Sequence, residues 1–487
     1  MTTDQAGPVQ DDRRWKALAV CLTAAFMSLL DTSIVNVALP SVERGLHASP
    51  ADLSWVVSGY ALTFGLVLVP AGRLGDLRGQ RQAFLTGLAL FTLASAACGL
   101  SSGPTWLVLF RLVQGASAGM LAPQATALVQ QMFQGAERAR AFGMMGATIG
   151  VSTAVGPLAG GLLIHASSGV DGWRSVFYVN LPIGVAVFCA ALRLLPRYPG
   201  SPSKRECFDV PGVLLLGSGV VALMLPLVQE QQWHGRLKWA LLPAGAGLLA
   251  AFWMWERRQQ RNDRAPLVDL RLFALRSFSL GALLSLVYFG GFTTLFFVYT
   301  IFLQNGMGYS ALAAALSSMP FATGTAVGAA VGGRLVVRFG RKLVVAGLCT
   351  VTVGILGVIA AVHWVPGQGV ALAAALPMLL AGIGSGLTTS PNTTLTLTLV
   401  PVRRAGAAGG VLQTGQRIGS AAGVAAVGSV FFAHLANHGD PAAALQYGLL
   451  TCVGIILLAL CLAFADLRER RVSPHPEQTR QTARQEA

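Results

Sequence analysis

The chain has 487 residues, of which 54% are hydrophobic and only 11% charged, where an ordinary soluble protein carries about 25% charged residues. Together with a mean hydropathy of +0.61, this excludes a soluble enzyme, a disordered protein and a secreted disulfide scaffold, and predicts one polytopic membrane body. The net charge of +15 would suit a nucleic-acid partner unless its placement says otherwise.

Apolar, nearly charge-free spans fall at 17–40, 53–72, 83–100, 105–129, 141–164, 175–195, 210–228, 239–255, 278–303, 311–333, 343–362, 370–391, 405–433 and 445–465. Each is long enough, or nearly so, to cross a hydrocarbon core of ~30 Å at ~1.5 Å per residue. The charge-free runs 277–333 and 343–402 each hold two helices, divided by the turn-like segments 304–308 and 364–369. Fourteen helices, an even number, predict both termini on one side. With the N-terminus inside, 29 of the 35 Lys and Arg fall in inside segments and four outside (Arg44, Arg174, Arg236, Lys238), while Arg111 and Arg417 lie within helices. This positive-inside asymmetry makes the basic excess topological, with both termini cytoplasmic and no nucleic-acid surface.

The first span is long, carries Asp31 and lacks a small-residue cleavage site, so it reads as a membrane helix and not a signal peptide. Six of the seven cysteines lie in apolar spans and Cys207 in an inside loop, which predicts reduced thiols; no metal spacing is present. His47, His165, His234, His363, His434 and His438 read as scattered loop histidines and not as a zinc or pH site. The polar tail after Arg468 reads as disordered.

An internal repeat organises the chain. Gly72-Arg73-Leu74 through Gly79 to Arg81 aligns with Gly333-Arg334-Leu335 through Gly340 to Lys342 at a constant offset of 261. That offset spans eight helices, which is six plus an insert of two. The predicted segments are a cytoplasmic N-terminus (1–16), a first six-helix half (17–195), a two-helix insert with its loops (196–277), a second half (278–465) and a cytoplasmic tail (466–487). Parallel repeats of this kind place a substrate site between the halves.

Five motifs then carry a family resemblance. Gly72-x-Leu74-x-Asp76-x-x-Gly79-x-Arg81 resembles the loop signature of the major facilitator superfamily, with Gln80 where that family usually has Arg. The run from Leu30-Asp31-Thr32 through Asn36 to Pro40 resembles the first-helix signature of its fourteen-helix drug:proton antiporter branch. Arg111-x-x-Gln114-Gly115 resembles the fourth-helix motif, and Gly150 with Gly156-Pro157-x-x-Gly160-Gly161 the fifth-helix antiporter motif. Trp173-Arg174-x-x-Phe177-x-x-Asn180-x-Pro182-x-Gly184 resembles the start of helix six. The resemblance implies an all-α bundle of two six-helix pseudo-repeats plus two central helices.

Residue chemistry gives each motif a candidate role. Asp31 is read as the only acid deep within a span, and such residues face cavities and mark function. Burial favours its neutral form and a cation its ionised form, so Asp31 and Arg111, both in the outer half by residue count, are the expected proton switch, with Gln114 one turn on. The plainer reading is a static ion pair. The small residues Gly150, Gly156, Gly160 and Gly161 allow close helix approach, and Pro157 bends the helix. Gly72, Asp76, Arg78, Gly79 and Arg81 are expected to form a conformational latch: the family analogy docks Asp76 on the inner start of helix thirteen, with Arg403 and Arg404 adding to it. The plainer reading is a topology loop. Tyr288, Phe292, Phe296 and Tyr299 form a helical stripe that either lines the substrate cavity, with Asn36, or faces lipid. Arg417 is either a counter-charge or a structural donor.

The expected function is proton-coupled efflux of small amphipathic or apolar compounds such as antibiotics, from a bacterial plasma membrane, by a monomeric protein that is no enzyme. No cofactor is expected beyond the proton gradient, since no Gly-x-x-x-x-Gly-Lys-Ser/Thr loop is present. The alternative is an importer or facilitator of a small metabolite on the same fold.

Overall fold

In lipid every backbone polar group must be satisfied within the protein, and the helix does this for a lone segment. The computed structural model describes residues 9–167, 171–197, 209–229, 233, 235–262, 264, 266–365 and 367–470. Among them run fourteen helices of fifteen residues or more: α1 (Val9–Leu46), α2 (Pro50–Arg78), α3 (Gln80–Gly99), α4 (Pro104–Met132), α5 (Gly135–Ala166), α6 (Asn180–Leu194), α7 (Val210–Val228), α8 (Leu241–Arg261), α9 (Arg276–Ile301), α10 (Ala311–Phe339), α11 (Arg341–Trp364), α12 (Ala375–Leu397), α13 (Ala405–His438) and α14 (Pro441–Arg470). Thirteen helical spans here are long and apolar enough to cross a membrane. The exception is α12, whose second half is rich in Ser and Thr; hydroxyls such as Thr388 donate back to the carbonyl one turn earlier (2.8 Å to Gly384).

Local signals set several boundaries. A capping box at Ser49 and Asp52 starts α2. At the α2–α3 corner Gly79 has φ 97°, and at the repeat-equivalent α10–α11 corner Gly340 has φ 52°, a region that glycine adopts freely.

Helix boundaries refine three of the sequence expectations. The predicted sixth span, 175–195, is one crossing stretch, Gly172–Leu194, divided at a single residue: Ser175–Tyr178 forms a short helix and α6 begins at Asn180 after the helical Val179. The twelfth, 370–391, is likewise divided, Val370–Ala373 preceding α12. The N-terminal segment 1–16 and the tail 466–487 enter helices, α1 beginning at Val9 and α14 running to Arg470. Residues 471–487, Cys207 and His234 lie outside the described residues. The six described cysteines are free.

Packing repeats at an offset of eight helices. In the first half α1 packs on α5 and α6, α4 on α2 and α3, and α3 on α6; in the second α9 packs on α13 and α14, α12 on α10 and α11, and α11 on α14. Helices α7 and α8 pack on each other, and α7 lies on α2 and α13. The halves meet along α2 with α13 and α5 with α10.

Basic segments gather at one end of the bundle. There Arg13 donates to the Arg193 carbonyl (2.9 Å) and Arg14 pairs with Glu137 (3.4 Å). At the same end Arg81 donates to the Leu192 carbonyl (2.6 Å), tying the start of α3 to the end of α6. In the second half Arg341, at the position equivalent to Gln80, is buried. It pairs with Asp466 (2.6 Å) and donates to the side chain of Asn392 (2.5 Å) and the carbonyl of Ser277 (3.0 Å). One side chain thus joins α9, α11, α12 and α14.

Candidate functional site

Asp31, on α1, is fully buried and accepts three side-chain hydrogen bonds. Arg111 Nη1 donates to Oδ2 at 2.6 Å, and Gln114 Nε2 and Asn180 Nδ2 donate to Oδ1 at 2.8 and 2.9 Å. Arg111 and Gln114 share one face of α4 at i, i+3, and Arg111 Nη1 also donates to Gln114 Oε1 (2.9 Å). Its Nε donates to the Val56 carbonyl of α2 (3.1 Å), and its guanidinium lies 4.2 Å from the centroid of the Tyr60 ring. Asn180 is held by Ser95 on α3, whose hydroxyl donates to the Phe177 carbonyl (2.8 Å). Helices α1, α2, α3, α4 and α6 thus converge on one buried carboxylate. A buried ion pair is tolerated only where further hydrogen bonds satisfy both partners, which is the arrangement here.

Next to this cluster lies a cavity of about 290 Å³ between the two halves. Ser28 and Thr32 line it, one turn before and one residue after Asp31. The Tyr60 hydroxyl donates to the Ser28 carbonyl (3.3 Å), so Tyr60 bridges the cavity wall and Arg111. Phe64, Phe289 and Phe292 supply aromatic surface, and Gln413, Gln416 and Arg417 of α13 supply polar groups.

Of the residues expected to line this space, Phe292 does so and Phe296 packs beside it, 5.8 Å between ring centroids. Tyr288 and Tyr299 do not: both are buried in the core of the second half among residues such as Val344 and Met378. At about 100° per residue they sit on one flank of the stripe, whereas the face presented to the cavity is centred on Phe289, Phe292 and Thr293. Asn36 is exposed and away from the cavity lining, two turns beyond Ser28 and one turn beyond Thr32.

Helix α5 uses its glycines on two neighbours. A Cβ on Gly150 would stand 2.7 Å from the Ala322 carbonyl oxygen of α10, and one on Gly156 or Gly160 would meet Ser33 or Ile34 of α1. The second contact holds α1 beside Asp31. Gly161 faces open space and makes no close approach, since it points away from both neighbours. Pro157 lies within the helix between the two α1 contacts.

At the basic end Asp76 accepts from the backbone N–H groups of Gly406 (3.0 Å) and Ala407 (2.9 Å), two donors of the first turn of α13 that have no partner within the helix. Gln80 Nε2 donates to the same carboxylate (3.1 Å). Gly72 allows the approach: a Cβ there would stand 2.2 Å from the Gly406 carbonyl oxygen. Gly79 turns the chain, Arg81 ties α3 to α6, and Arg78 is exposed. Arg404 was expected to add to this contact; it pairs instead with Asp269 of the loop after α8. The neighbouring Leu267 and Val268 pack with Val69 of α2 and Val411 of α13, so the insert's loop spans the same junction.

The sequence reading missed two buried groups. Asn180 stood in the sixth-helix motif without a role, although it is the third donor to Asp31. Glu256, just past the predicted eighth span, is a second fully buried acid and accepts from the Leu267 N–H (3.3 Å). A strictly apolar span rule ended one residue too early to flag it.

Comparison with known proteins matches this architecture. Residues 21–424 match the family model of the Major Facilitator Superfamily. The chain is 38% identical over 436 residues to the "Probable actinorhodin transporter" of Streptomyces coelicolor, covering 89% of this chain and 75% of that protein. It is 34% identical over 485 residues to a puromycin resistance protein of Streptomyces alboniger, covering 94% and 92%. In structure it resembles a proton:xylose symporter (TM-score 0.66, 13% identity, 94% of this chain and 96% of that one). The chain belongs to the Major Facilitator Superfamily and is a multi-pass membrane transporter of its drug-exporter branch.

Proposed function

We propose that the protein exports small amphipathic molecules of antibiotic type in exchange for protons, with both termini cytoplasmic in a bacterial plasma membrane. The names of the relatives support antibiotic efflux. The observation that carries the coupling is the sealed Asp31–Arg111–Gln114–Asn180 cluster against the wall of a cavity between the halves. While Asp31 is ionised it neutralises Arg111. Protonation from outside removes that attraction and frees Arg111 to rearrange, which reaches the cavity wall through Tyr60 and Ser28. The latch of Asp76 on α13 closes the basic end in the outward-facing state. Substrate entering from inside then competes with the proton through the conformation. A drug-susceptibility panel in an efflux-deficient host tests this. Raised resistance that an uncoupler abolishes is expected; proton-dependent accumulation of substrate inside the cells would replace efflux with import.

A further inference from the structure

Among the described residues Arg417 is the one charged member of the cavity lining, whose other members are apolar, hydroxyl or amide side chains. Among the described residues no carboxylate forms an ion pair with it; its guanidinium stacks on the Phe64 ring, 4.3 Å from the centroid. Asp31, a buried acid one residue before the lining residue Thr32, is sealed in its own hydrogen-bonded cluster and, while ionised, is neutralised by Arg111. The wall therefore presents one net positive charge. Burying a second cation beside it costs desolvation and repulsion, whereas an anion recovers both. Gln413 and Gln416, one turn and one residue before Arg417, add amide donors, and Gln413 is already oriented by donating to Thr126 (3.3 Å). Phe289 and Phe292 face the space from α9 and offer flat surfaces for a ring system.

We infer that the cavity selects aromatic molecules carrying a single negative charge, such as a carboxylate or an ionised phenol, with Arg417 as the counter-charge and the phenylalanines gripping the ring. This deepens the exporter reading and rests on the cavity being the substrate site. A guanidinium presents a planar fork of donors to a carboxylate, which an ammonium does not, so Arg417 also sets orientation. Export of a monoanion for each proton taken up moves two positive charges inward, so an inside-negative potential drives it harder than it drives a neutral analogue.

The test is binding to the purified full chain in nanodiscs, read by fluorescence, with three probes of one shape: anthracene-9-carboxylate, anthracene-9-carboxamide and 9-(aminomethyl)anthracene. The carboxylate should bind best. Arg417→Gln should weaken it by about tenfold or more, the loss expected for a hydrogen bond to a charged group. The same variant should leave carboxamide affinity unchanged, which also shows that it folds, and Arg417→Lys should retain part of the preference. Equal binding of all three probes, no binding of any, or equal weakening of carboxylate and carboxamide in Arg417→Gln would overturn the inference. Binding is measured without a proton gradient. Selective binding without efflux in cells would therefore count against the exporter reading alone, and efflux without anion selectivity against this inference alone.

Discussion

Three donors on two helices hold the Asp31 carboxylate, and no water-exposed surface remains to it. Removing one partner of a buried pair leaves an uncompensated charge at a cost of about 3–5 kcal/mol. Arg111→Ala should therefore lower the thermal unfolding midpoint of the purified protein far more than Arg78→Ala, whose side chain is exposed; equal shifts would mean that the pair contributes little. Asp31 and Arg111 were legible because charges within apolar spans are rare and their depths could be counted. Asn180 was not, since a contact across 149 residues leaves no periodic trace. Tyr288 and Tyr299 show the complementary limit. Helical spacing identifies a stripe, but the side facing the cavity depends on how α9 is rotated against α12, α13 and α14, which is set by packing.

Two elements carry the contact between halves, and each uses glycine where a side chain would hold the helices apart. Gly72→Ala should disfavour the state with the basic end closed, because the added Cβ would collide with the Gly406 carbonyl. Distance measurements between spin labels on α2 and α13 at that end should show a longer population; an unchanged distribution would show that the closed junction accommodates the added methyl and that the close approach at Gly72 does not matter. Asp76→Asn should leave insertion and expression intact, since topology depends on Lys and Arg. It should slow transport about fivefold, the factor that corresponds to losing a charge–dipole contact of ~1 kcal/mol at a helix N-terminus. Transport unchanged at equal expression would show that Asp76 does not act as a latch. The loop signature was readable because Asp76 has no topological purpose. The pairing of Arg404 with Asp269 was not, because the insert's loop reaches the junction only in three dimensions.

At the scale of the whole molecule, the repeat seen as two short matching loops returns as one set of helix pairings used twice. Composition and charge placement made the fourteen-helix count legible, and only the polar α12 departed from the simple rule. Between the halves the cavity lining holds no carboxylate among the described residues. Rigid dications should accordingly be poor substrates: resistance conferred against a dication should be far below that against a neutral compound of similar ring system. Comparable resistance would point to a second binding site rich in acids.

In the proposed exchange cycle Asp31 carries the coupling proton. Proton release on adding substrate to purified protein, followed with a pH indicator in weak buffer across a pH series, measures this directly. The wild-type chain should release protons and Asp31→Asn should release none while still binding substrate. Undiminished release from Asp31→Asn would place the proton on another residue and contradict the mechanism.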